Sequence, residues 1–364
     1  MTYARSRLLV GVTAVGTWVV ICIAFLAAGG ASLLPGTEAS AGTQAGLLFA
    51  VLGVYVLVSL PFDLLGGLVL PRRHGRAVAP TGSYLAGLLR GVVVQVVVMA
   101  TAAALIVLAG SAGGDGAGLA VAAGIALVIA LGRLPLARAV AALGRPVAMD
   151  DAVGTITIAA ADVGFTGGVT GLSGRVTIPA AWRDALGDGL QVELVRRRSQ
   201  AGASYWLGIV VALAWTVGGV AVSMALPGGG AGDMSALVAT GAWFTLWSFV
   251  GLLVLPSVSR PAVRAADAAA AATFPHEQVA AVISSLDALQ DDEPKRPDAV
   301  EAIFHPIPGA AGRIASLSAP PPGPRPWNVA RTALPMSWCC LGLLGRAVHC
   351  NAGRPELWVL LPTD

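Results

Sequence analysis

Six apolar stretches, about 8–28, 46–70, 83–109, 119–140, 205–227 and 235–256, constrain this chain more than any other feature. Each approaches or exceeds the roughly 20 helical residues that cross the hydrocarbon core of a bilayer. A soluble domain has no interior large enough to hide six such helices, and 56% hydrophobic against 12% charged residues argues the same way. The gaps carry Gly and Pro, as in "SAGGDGAG" and "PGGGAGD", and read as turns. The first stretch precedes "AAGGAS", which has the look of a signal cleavage site, but its apolar run exceeds the roughly 7–15 residues of a signal core and is taken as a span. The expectation is a multi-pass α-helical membrane protein with about six transmembrane helices.

Charge sets the orientation. Arg5 and Arg7, the "PRRHGR" segment, the arginines from Arg133 to Arg198 and those from Arg260 onward fall on one side, while the opposite loops hold Glu38, Asp115 and Asp233 and no basic residue. The positive-inside rule then puts both termini in the cytoplasm. Basic residues are arginine except for Lys295, and Ala, Gly, Val and Pro are abundant, which points to a GC-rich bacterium and its cytoplasmic membrane. A net charge of +3 is too small to indicate nucleic acid, so lipid is the expected partner. Cys22, Cys339, Cys340 and Cys350 are expected to be reduced thiols.

Two polar residues interrupt the spans. Asp63 and Arg90 each lie about seven or eight residues from a cytoplasmic helix end, roughly 11–12 Å deep, which makes an ion pair between them attractive and separate snorkelling the simpler alternative. Outside the spans, "GTITIAA" reads as a strand, "DVGFTGGVTGLSG" as a turn-rich segment, and "RVTIPAAWRDAL" as a second strand running into a helix through "QVELVRRRSQ". The polar part is therefore a small cytoplasmic α+β domain split around the last two spans. The expected organisation is a four-span region at 1–142, a strand–helix segment at 143–204, a two-span hairpin at 205–257, a helical segment at 258–318, and a Pro-rich linker and tail at 319–364. The tail's apolar run is near thirteen residues, too short to span, and is expected to form a lid on the cytoplasmic domain or to rest at the interface, held by Trp327, Trp338 and Trp358.

The segments "VSRPAVRAADAAAA" and "IFHPIPGAAGRIASL" add a specific signal. With "LVRRRSQ" before two spans and these after them, the chain resembles the membrane-embedded gluzincin metalloproteases of the HtpX and CAAX prenyl protease type. Ser259, Arg260, Ala266 and Asp267 match that family's Ser-Arg-x-x-Glu-x-x-Ala-Asp element. His305, Pro306, Arg313, Ile314 and Leu317 match its later His-Pro and Arg-Ile-x-x-Leu element. The resemblance implies a zincin-like domain and also implies that its chemistry is gone. Arg196 and Gln200 stand where the helical zinc ligands belong, Arg197 where the general base belongs, and Val263 where the third ligand belongs. Guanidinium is a permanent cation with no lone pair for a metal.

No catalytic residue and no cofactor are therefore expected, and the leading reading is a pseudoprotease that binds or regulates a membrane protein or peptide, with "GRVTIP" as a peptide-binding edge strand. Two alternatives are an active hydrolase, using zinc at a non-standard site or a Cys/His pair drawn from Cys339, Cys340, His349 and Cys350, and a small transporter built around Asp63 and Arg90. His74 and His276 read as surface residues. Partner and oligomeric state are not legible.

Overall fold

The computed structural model describes residues 1–36, 38–76, 78–141, 147–149, 155–158, 168–170, 175–290, 292–293, 295–319 and 323–359. Five helices are long and apolar enough to cross a membrane. They are α1 (Tyr3–Ala27), α2 (Ala41–Leu64, continued through a π turn at Leu65–Val69 into α3, Leu70–Arg73), α4 (Thr81–Leu131), α8 (Ala203–Ala225) and α9 (Met234–Ala271). Three of them start on side-chain caps: Thr2 accepts from the Arg5 amide, Ser40 from Thr43 and Asp233 from Ala236.

Helix α4 makes two passes. Gly114 adopts φ 73° and ψ −178°, a conformation open to glycine and barred to a helix. A methyl group placed on Gly118 would lie 3.5 Å from the Ile106 carbonyl oxygen, although a straight helix would separate these residues by about 18 Å. The arms fold back on each other, and with the remaining helices they give six passes, as the apolar stretches require. A short helix, α5 (Arg133–Ala141), closes the second arm.

Helices α8 and α9 pack through small residues. Gly219 lies against Trp247 and Gly251 against Trp215, which brings the two indoles to 4.6 Å between ring centroids. At 38 residues α9 is about 57 Å long, nearly twice the hydrocarbon thickness, so its C-terminal third projects beyond the bilayer and carries Ser259 to Asp267 into the polar domain.

That domain contains β1 (Val147–Met149), β2 (Thr155–Ile158), β3 (Gly168–Thr170), β4 (Arg175–Pro179), α6 (Trp182–Leu186) and α7 (Leu190–Gln200) before α8. After α9 it adds α10 (His276–Gln290), α11 (Asp298–Phe304) and α12 (Ala310–Ala315). Ile178, Trp182, Val192, Leu194, Ile283 and Leu286 share its core, which joins the halves that the two spans separate in sequence. The strand order is β1-β2-β4-β3, with β2 and β4 parallel. "GRVTIP" is thus an interior strand and not an edge: Gly168–Thr170, inside the segment read as turn, covers it in antiparallel pairing.

The tail departs furthest from expectation. Residues 327–359 contain α13 (Val329–Met336) and a tight turn at Ser337–Cys340, and they lie inside the helix bundle, neither as a lid nor at the interface. Glycines of the spans let it pack closely. Gly208 faces Trp327, Gly241 faces Leu341, Gly66 and Gly67 face Ala352 and Gly353, and Gly91 faces Pro355 and Trp358. The tail enters beside the start of α8, reaches Thr245 in α9, whose hydroxyl accepts from the Leu343 amide at 3.4 Å, and returns to α2. Its one α-helix, eight residues long, is far short of a span, and its irregular backbone is tolerated at this depth because it is buried in protein.

Candidate functional site

The degenerate positions converge where α7 lies along the projecting part of α9. The i,i+3 and i,i+4 spacing of a helix places Glu193 beneath Arg196 and Arg197. Arg197 Nε donates to Glu193 Oε1 at 2.5 Å, and Arg196 Nη1 donates to Glu193 Oε2. Arg196 Nε turns to α9 and donates to Asp267 Oδ1 at 2.8 Å. From α12, Arg313 takes Asp267 in a bidentate grip, Nε to Oδ2 at 2.9 Å and Nη2 to Oδ1 at 2.8 Å. The result is a continuous chain, Arg197–Glu193–Arg196–Asp267–Arg313, shut off from solvent, with the Arg197 guanidinium 5.4 Å from the Trp182 ring centre.

Glu193 and Asp267 are each shared between two arginines. Burial alone would raise the Asp267 carboxyl, but Arg313 and Arg196 outweigh it and hold the group below the usual carboxylate range. Val263 is buried on the same helix, and Gln200 is buried with neither amide atom hydrogen-bonded among the described residues.

The residues matched to the family elements lie together and act mostly as braces. Arg260 reaches the end of α11, donating to the His305 carbonyl at 3.2 Å and to that of Glu301. Ser259 Oγ accepts from the Val329 amide at 2.9 Å and so fixes the start of α13. Ala266 is buried in α9, and His305 and Pro306 line a cavity discussed below.

Of the two readings for the intramembrane charges, the ion pair is absent. Asp63 does not meet Arg90. Its Oδ2 is paired with Arg346 of the tail and its Oδ1 accepts from the Gly353 amide at 2.9 Å. Arg346 also donates to Gln95 Oε1 at 3.4 Å and lies 4.7 Å from the Trp358 ring centre. Arg90 is exposed and donates to the carbonyls of Ala139, at 2.7 Å, and Arg138, at 3.0 Å, so the snorkelling alternative describes it. The sulfur donors of the tail are likewise divided. Cys350 Sγ accepts from Arg331, the His349 ring sits 5.3 Å from that of His305, and Cys339 and Cys340 lie in the buried turn at the far end of the tail. Among the described residues no three His, Cys, Asp or Glu side chains converge as a metal would need.

Sequence reasoning missed Glu193 and Arg346. Glu193 was legible from its spacing to the arginines. Arg346 sits 283 residues from Asp63 and gave no local signal beyond being a lone charge in an apolar run.

No protein-family sequence model matches the chain, and no curated protein matches it by sequence. Among solved structures it is similar to the crystal structure of S. mikatae Ste24p, with a TM-score of 0.63 at 11% identity over 79% of this chain and 78% of that one. The chain thus has a Ste24p-like, multi-pass helical membrane fold.

Proposed function

We propose that this chain is a non-catalytic, HtpX-like relative of the membrane gluzincins, a pseudoprotease of the bacterial cytoplasmic membrane with both termini in the cytoplasm. Its work is to bind or regulate a membrane protein or peptide. The observation that carries this reading is the closed ion chain. A zinc ion at these positions would meet the guanidiniums of Arg196 and Arg197, an amide and a valine, and the two nearby carboxylates, Glu193 and Asp267, are already held by arginine. The residues present do not fit zinc, which takes neutral imidazole or anionic donors and, for hydrolysis, a carboxylate beside its bound water. The tail supports the same reading, because the chain's own residues fill the bundle interior through which a membrane substrate would approach.

With β4 covered, a peptide adding to the sheet by main-chain hydrogen bonds has β1 and β3 as its two edges. The test is metal content. Protein purified in detergent and dialysed is expected to hold no stoichiometric zinc. Stoichiometric zinc that disappears on His349→Ala or Cys350→Ala would overturn the proposal. In the opposite direction, Arg196→His, Arg197→Glu, Gln200→His and Val263→Glu together are expected to create zinc affinity that the parent lacks. A folded quadruple variant that binds none would show that these positions are not the remnant of a metal site.

A further inference from the structure

A cavity of about 380 Å³ lies between α1, α9, the α11–α12 segment and the tail. Its two ends differ. One is bounded by Leu8, Val12 and Val15 of α1 and by Phe249, Leu252 and Leu253 of α9. Val12 and Leu253 are 43% and 40% exposed, so the groove between these two spanning helices opens sideways to the acyl chains of the bilayer. The other end is cationic. Arg7 Nη2 donates to the carbonyls of His349, at 2.7 Å, and Cys350, at 2.8 Å, and Arg331 Nη1 donates to Cys350 Sγ. Both guanidiniums therefore converge on one residue.

Both are only 6% exposed, and neither has a carboxylate partner among the described residues. Arg7 Nε and Arg331 Nη2 have no hydrogen-bond partner among the described residues. The other arginines of the cavity are spoken for: Arg313 by Asp267, Arg296 by Asp287 and Glu293, Arg354 by Glu356. Two buried cations with donors to spare at the mouth of a membrane groove are unfavourable until an anion meets them. Arg7 lies about 6 Å from the start of α1, at the depth of lipid headgroups.

We propose that this cavity binds an anionic phospholipid, with its phosphate on Arg7 and Arg331 and one acyl chain in the groove between α1 and α9. Guanidinium pairs suit phosphate oxygens through parallel charge-assisted hydrogen bonds. The volume lies in the usual range for small-molecule pockets, about 300–1,000 Å³. A zwitterionic lipid would bring a choline cation to an arginine cluster, so net negative charge is the selecting feature.

The test is lipid retention by the full-length protein in neutral detergent, read by native mass spectrometry and by thermal shift. The probes are phosphatidylglycerol, phosphatidylcholine with the same chains, and inorganic phosphate. Phosphatidylglycerol is expected to be retained at least tenfold better than phosphatidylcholine, with retention lost in Arg7→Gln/Arg331→Gln and unchanged in Arg73→Gln, a control at an exposed arginine. Leu253→Trp fills the groove without touching the arginines and is expected to reduce retention several-fold. Equal retention of the two lipids, or equal loss in the Arg73 control, would overturn the proposal. So would a thermal shift from inorganic phosphate matching that from lipid, which would make this a free-phosphate site. Should the double variant fail to fold, unchanged retention in Leu253→Trp sinks the proposal by itself.

Discussion

In the chain Arg197–Glu193–Arg196–Asp267–Arg313 all four carboxylate oxygens accept from a guanidinium nitrogen, whereas at the cavity Arg7 and Arg331 converge on a cysteine and pair with no carboxylate among the described residues. Arg313 borders both regions, and the same residue type is used in opposite ways on its two sides. The first arrangement is complete and leaves a ligand nothing to do. The second is incomplete, and incompleteness in a buried site is what a ligand resolves. Removing a partner should therefore be severe in the first region and mild in the second.

The largest expected effect is at Asp267. Asp267→Asn removes the carboxylate that Arg196 and Arg313 share, leaving Arg196 to Glu193 and breaking the bidentate pair of Arg313, and loss of one partner from a buried pair costs about 3–5 kcal/mol. Thermal unfolding of the detergent-solubilised protein is expected to show a matching fall in Tm. Arg331→Gln removes a cation that has no acid, and is expected to change stability by no more than about 1 kcal/mol in the absence of anionic lipid. Equal losses from the two substitutions would erase the contrast and make both clusters structural.

A second comparison sets the tail against the sheet. Replacing Gly67 by Val drives a branched side chain into the Gly353 backbone, which cannot swing aside as a side chain can, and into the Tyr84 hydroxyl. Overpacking of this kind costs about 1–3 kcal/mol. Release of the tail is expected to open residues 327–359 to limited proteolysis, which the parent, where these residues are mostly buried, should resist. If the pattern of fragments is unchanged, the tail is not held by this cradle.

The spans were legible because length and apolarity decide them, and one glycine, Gly114, sufficed to divide the longest helix. The site was legible where its elements follow helical spacing. Arg196, Arg197 and Gln200 share one face with Glu193, and Asp267 and Arg313 were marked by their motifs. The tail was not legible. An apolar run of about thirteen residues fits a surface helix as well as a plug, and the glycines that admit it look the same in sequence as glycines at a helix–helix contact. Nor was the place of β4. Its cover, Gly168–Thr170, has three residues in a stretch whose glycines read as turn. Long-range partners such as Arg346 for Asp63 follow from that hidden plug and share its opacity.

The smallest effect concerns pH and separates the two arginine regions once more. The Asp267 carboxyl titrates below its value in an unfolded chain, about 3.9, so the stability it contributes is fully present above that value and is lost as pH falls through the lower, folded one. Between about pH 5 and 8 Asp267 should therefore add no slope to unfolding stability, and below about pH 4 stability should decline more steeply in the parent than in Asp267→Asn. Arg7 and Arg331 bring no carboxylate to titrate, so Arg331→Gln should keep the acid limb of the parent. An Asp267→Asn protein that retains that limb would mean that a carboxylate outside this ion chain governs acid unfolding.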